Sequence, residues 1–145
     1  MVKLVGIVSD SFTNVEISYI QEIKTFNMVT NFMDDYCKPY EIATGAMIWI
    51  NDDSIIGELE CIFPPIIHHE QCFISEKIKL LNGIPKLKVV GINDDIFIQI
   101  NESGYIIWLT KECDIDLQIN TNNIDFLFCD EQLVAIRIYS NNIND

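Results

Sequence analysis

Hydrophobic and polar residues alternate along much of the chain. The clearest stretch is Cys113-Asp114-Ile115-Asp116-Leu117-Gln118-Ile119-Asn120, with Ile115, Leu117 and Ile119 on one side and Asp114, Asp116 and Gln118 on the other. A period of two marks a strand with one dry and one wet face. Ile96, Ile98 and Ile100 repeat the pattern. Between such runs lie Asn51-Asp52-Asp53, Asn93-Asp94-Asp95, Asn101-Glu102-Ser103-Gly104, residues 120–123 and Asp130-Glu131. These residue types tolerate turn geometry or bond their own backbone. The pattern predicts an antiparallel meander of five strands from about residue 86 to 139, and the apolar run at Val2 to Val8 reads as an opening strand.

One helix is expected over residues 17–36, where Ile20, Ile23, Phe26, Val29, Phe32, Met33 and Tyr36 recur at roughly helical spacing. Pro39 closes it, because proline disfavours helix at the residue before it. Residues 14–19 read equally well as a second strand. A short helix or irregular segment is expected over 68–82, after Pro64-Pro65 and ending at Asn82-Gly83. Gly45-Ala46-Met47-Ile48-Trp49-Ile50 echoes Gly104-Tyr105-Ile106-Ile107-Trp108-Leu109. Both read as central strands covered on two faces, which needs two layers. The expectation is therefore one α+β domain over residues 1–145: antiparallel sheet in two layers or half-sheets, with one substantial N-terminal helix.

Composition sharpens this. Hydrophobic residues make up 49% of 145, enough for a packed core. Nine Lys and Arg stand against 22 Asp and Glu, a net charge of -13. Holding a phosphate backbone takes clustered cations, and Arg137 is the single arginine, so nucleic-acid and anionic-membrane binding are excluded. No window approaches the roughly 20 apolar residues of a membrane span, and no secretory pattern follows the first run. The five cysteines (Cys37, Cys61, Cys72, Cys113, Cys129) contain no CxxC pair. Reduced, mostly buried thiols in a soluble cytoplasmic protein are the expectation.

Little here could carry chemistry. His68-His69 with Cys61 and Cys72 is the one metal-like cluster, but adjacent histidines on a strand face opposite ways, and zinc needs four convergent ligands. Cys72 could be a nucleophile only with one of those histidines as its base. The carboxylate pairs Asp34-Asp35, Asp52-Asp53, Asp94-Asp95, Asp114/Asp116 and Asp130-Glu131 read as turns or wet strand faces, whereas glycosidase chemistry needs two carboxyls set across a cleft. All six glycines are isolated, so there is no phosphate loop. The reading is a non-enzyme with no cofactor and no metal.

What remains is the charge. Such a field draws a cationic partner and speeds its encounter, and Trp49, Tyr105 or Trp108 would supply aromatic anchors. In size, acidity, lack of a secretory pattern and the turns Asn51-Asp52-Asp53, Asn93-Asp94-Asp95 and Cys129-Asp130-Glu131, the chain resembles the small acidic immunity proteins of bacterial toxin systems, including contact-dependent growth inhibition. The resemblance implies a cytoplasmic protein that binds one cognate cationic toxin, often a nuclease, one to one, and blocks its active site or substrate path. On it, Asp114 and Asp116 face outward beside the Trp108 strand, with Asp94, Asp95, Asp130 and Glu131 at the strand ends. A second resemblance is to small acidic secretion chaperones, homodimers that bind an effector segment; the helix over 17–36 would then be the dimer element. A small-ligand-binding barrel is a third reading, which an apolar cavity would support.

Overall fold

The computed structural model describes residues 1–20, 22–62, 64–67, 74–93, 96–102, 104–110 and 114–139. The described residues form thirteen strands and no helix. In chain order these are β1 (Val2–Ser9), β2 (Val15–Ile20), β3 (Thr25–Thr30), β4 (Lys38–Ala43), β5 (Ala46–Ile50), β6 (Ile56–Ile62) and β7 (Ile66–Ile67). There follow β8 (Ile74–Val89), β9 (Phe97–Asn101), β10 (Gly104–Trp108), β11 (Ile115–Thr121), β12 (Ile124–Cys129) and β13 (Gln132–Tyr139). The fold is all-β, and this corrects the α+β expectation.

The segment expected as a helix is a hairpin, β2 and β3, paired in unbroken register from Val15↔Thr30 to Ile20↔Thr25. The helix-like spacing is a coincidence of three destinations. Ile20 lies on the solvent face, Ile23 is exposed in the turn, and Phe26 is fully buried. Lys24 turns the hairpin at φ 46. A period of two that buries Phe26, Met28 and Thr30 outweighs the apolar residues that happened to fall three apart. After β3 the chain makes tight turns, with the Asp34 carboxylate accepting from the Tyr36 amide at 2.8 Å. This loop lies on Gly57 of β6, where a Cβ would come within 2.8 Å of Cys37 Sγ and 3.0 Å of the Met33 Cα.

The short helix or irregular segment expected over 68–82 is corrected where the structure describes it. Residues 68–73 lie outside the described residues, and 74–82 belong to the long strand β8. Asn82-Gly83, read as a helix stop, is where β8 changes partner. Through Asn82 it runs parallel to β11, and from Gly83 onward antiparallel to β1. Gly83 has φ +155, and a Cβ there would sit 2.5 Å from the Val8 carbonyl oxygen. Only glycine allows that approach.

Two sheets result. One has five strands in the order β2-β3-β6-β5-β4, all antiparallel. The other has eight, β1-β8-β11-β12-β13-β10-β9-β7, and Lys3↔Gln132 also joins β1 to β13. That contact closes β1, β8, β11, β12 and β13 into a ring. The expected meander is partial: β13 inserts between β12 and β10, and β11 pairs with β8 in parallel. The two layers themselves agree with the sequence. Their facing sides share one apolar core that includes Phe26, Met28, Ile48 and Leu59 from the first sheet and Ile107, Ile119, Phe126 and Ile136 from the second. Phe26 meets Tyr105 edge to face across the layers, with centroids 5.0 Å apart. No helix among the described residues is long and apolar enough to cross a membrane.

Candidate binding face

In an antiparallel ladder, directly opposed residues share a face. On the five-stranded sheet the register therefore defines rows. One row runs Glu16, Val29, Glu58, Trp49, Pro39. The next runs Ser18, Asn27, Glu60, Met47, Glu41. A third runs Ile20, Thr25, Ile62. All of these residues are half-buried or exposed, whereas the alternate positions Phe26, Met28, Ile48, Leu59 and Cys61 lie in the core. This is the outer face of the sheet. Trp49, Met47 and Val29 are interleaved with Glu16, Glu41, Glu58 and Glu60, and no lysine or arginine stands in the rows. Lys38 of β4 has the other parity, opposite Ile50.

The carboxylates here feel one another. Burial among its neighbours, and then the charge of Glu60, pushes the Glu58 pKa above its ordinary value. An incoming ammonium or guanidinium group would offset both by favouring the ionised form. Behind the face, burial raises the Cys61 thiol to about 12, so it is an inert core residue.

The opposite arrangement holds on the eight-stranded sheet. Trp108, expected as an anchor, is 5% exposed; it stacks on Phe97 and donates from Nε1 to Gln99 Oε1 at 2.9 Å. Its row is apolar, with Phe97, Ala135 and Leu127 alongside. The neighbouring row holds a buried ion pair. Asp125, 1% exposed, accepts from Arg137 Nε at 3.0 Å, with Arg137 Nη2 paired to it at 3.0 Å, from the Tyr139 hydroxyl at 2.8 Å and from Asn120 Nδ2 at 2.7 Å. The chain's single arginine thus satisfies an internal carboxylate. Burial, and then the bond to Asp125, raises the Tyr139 pKa.

Of the other residues expected at the site, Asp114, Asp116, Asp130 and Glu131 are exposed, but β11 lies between β8 and β12 and not beside the Trp108 strand as expected. The Asp116 carboxylate accepts from the Asp130 amide at 3.0 Å, and Asp130 and Glu131 turn the β12–β13 hairpin with positive φ. Asp94 and Asp95 lie outside the described residues. With Trp108 buried, this cluster has no aromatic centre. Sequence reasoning missed Glu16, Glu41, Glu58 and Glu60, each isolated in sequence and united only by register; Glu58-Leu59-Glu60 was the available signal.

Among the described residues no group of His, Cys, Asp and Glu could hold a metal. His68, His69 and Cys72 lie outside them. Cys37 and Cys61 are free, but Cys129 is disulfide-bonded, contrary to the expectation of reduced thiols. A cleft of about 500 Å³ opens where the layers meet, lined by Lys38, Tyr40, Asp52, Leu87 and Lys88 among others. It is open and charged, not the enclosed apolar cavity of a small-ligand barrel. Comparison with known proteins finds no matching family model and no matching curated protein.

Proposed function

We propose that this protein neutralises one cationic toxin domain, of the nuclease kind, as an immunity protein, and that it docks through the outer face of the five-stranded sheet. One observation carries the reading: an open sheet face in which Trp49, Met47 and Val29 alternate with four glutamates and no cation. Apolar and aromatic side chains supply the area that anchors an interface, while the carboxylates select a basic partner and hasten encounter. To a groove built for phosphates, the glutamates present equivalent charge. The exposed cluster of Asp114, Asp116, Asp130 and Glu131 adds to the steering field without anchoring. Inhibition is stoichiometric, one to one, with no catalysis and no cofactor.

The secretion-chaperone alternative has lost the helix that was to be its dimer element. The immunity reading places the protein in the cytoplasm, where its toxin acts. The Cys129 disulfide runs against that placement, because cytosolic reductants keep thiols reduced. Alkylation in denatured lysate checks it: five free thiols fit the cytoplasm, and fewer point to an oxidising compartment. The function is tested by co-expressing the chain with the nuclease domain encoded beside its gene. A one-to-one complex whose association rate falls with salt supports it; no complex, or one indifferent to salt and to Glu58→Lys/Glu60→Lys, opposes it.

A further inference from the structure

We infer that β2 is a docking edge, where an extended basic segment of the cationic partner adds a sixth strand to the five-stranded sheet. The inference rests on the proposed function and names the segment of the partner involved. Among the described residues no strand pairs with the outer edge of β2. The two edges of this sheet are built differently. β4 carries Lys38, Pro39 and a bulge between Glu41 and Ala43, all devices that block strand addition. β2 has six residues in continuous register with no proline, glycine, lysine or bulge. Exposed apolar side chains lie at its end and to either side, Ile20 at 45%, Phe12 at 51% and Ile23 at 51%. Its inward Ile17 and Tyr19 are only half-buried, while Phe26 and Met28 on the next strand are fully covered. A further strand would complete that burial.

Charge selects the occupant. A second copy would bring another -13 to the same edge, whereas a basic segment extends the glutamate rows. Running antiparallel, it places an apolar residue opposite Ile20, a small hydroxyl opposite Ser18 and a cation opposite Glu16, with apolar residues between them covering Tyr19, Ile17 and Val15.

The test uses the full chain and the peptide acetyl-Lys-Val-Tyr-Thr-Val-Arg-Val-Lys-amide, with binding read by anisotropy and mapped by amide hydrogen exchange. The expected result is slowed exchange across 15–20 and affinity lowered roughly three- to tenfold by Glu16→Lys, an exposed position that leaves the core intact. N-methylating one alternate set of peptide amides should abolish binding, and methylating the other set should spare it. Protection elsewhere, equal binding by both methylated peptides, self-association through β2 in place of peptide binding, or no binding at all overturns the edge. If the edge fails while Glu58→Lys/Glu60→Lys still weakens the nuclease complex, the proposed function stands without it. If that double variant also has no effect, the proposed function fails as well.

Discussion

The strands holding Trp49 and Trp108 begin alike and end in opposite surroundings. Each is the second strand of a hairpin, each has a glycine with positive φ at its start (Gly45 at 76° just before β5, Gly104 at 144° as the first residue of β10), and each lies between two antiparallel neighbours. Trp49 stands between Pro39 and Glu58 and remains half-exposed. Trp108 stands between Phe97 and Ala135 and is buried. The cross-strand neighbours, not the strand's own sequence, decide which tryptophan can meet a partner. They also explain why Asp125 is worth burying: Arg137, Tyr139 and Asn120 converge on it, whereas Glu58 stands between Val29 and Trp49 and feels the charge of Glu60.

The largest effect should come from the buried side. Arg137→Ala leaves Asp125 inside without its countercharge and should cost about 3–5 kcal/mol in urea unfolding; a loss under about 1 kcal/mol would show that water reaches the carboxylate. Trp108→Ala and Trp49→Ala sharpen the contrast. The first should lose about 3–5 kcal/mol of stability. The second should lose far less stability but about 2 kcal/mol or more of partner binding, read by calorimetry. Equal stability losses would erase the distinction between the faces. Gly57→Ala should destabilise by about 1–3 kcal/mol, because the methyl meets Cys37 Sγ and the backbone of Met33.

The smallest effect concerns Glu58. Its pKa is raised in the folded state, so folded protein holds the proton more tightly than unfolded chain does. Its contribution to stability therefore falls as pH rises through the ordinary carboxylate value toward the raised one, and returns on acidification. Glu58→Gln should flatten that part of the thermal-stability profile. Binding a cation favours the ionised form, so complex formation between those pH values should release protons in the wild type and fewer in Glu58→Gln. A profile unchanged by the substitution would remove Glu58 from the electrostatics of the face.

Much of the sheet was legible in the chain. Leu117 and Ile119 do line the shared core, but a register shift after Ile115 sends that residue to the second cluster with Trp108 and Leu127, so the expected single dry face of β11 is broken; Asp130-Glu131 does turn a hairpin. What misled was residues 17–36, where the exposed Ile20 and Ile23 completed a helical stripe although neither enters the core. Apolar residues left exposed on a sheet face or in a turn break the alternation by which strands are recognised. The site was less legible for a related reason. Consecutive acids such as Asp114 and Asp116 are visible along the chain, whereas Glu16, Glu58 and Glu41 come together only through the pairing of β2, β3, β6, β5 and β4. Nor does periodicity separate Trp108 from Trp49, since both fall on the outward parity of their strands.

The most direct test of the central claim is the affinity and association rate of the neighbouring nuclease domain for two charge-reversed proteins, measured across salt concentrations. Glu58→Lys/Glu60→Lys should lower affinity by roughly a hundredfold or more, with slower association and faster dissociation. Asp114→Lys/Asp116→Lys should slow association alone, by less than about tenfold. Unchanged binding by the first protein, or the larger loss in the second, would contradict the assignment of the working surface to the Trp49 face.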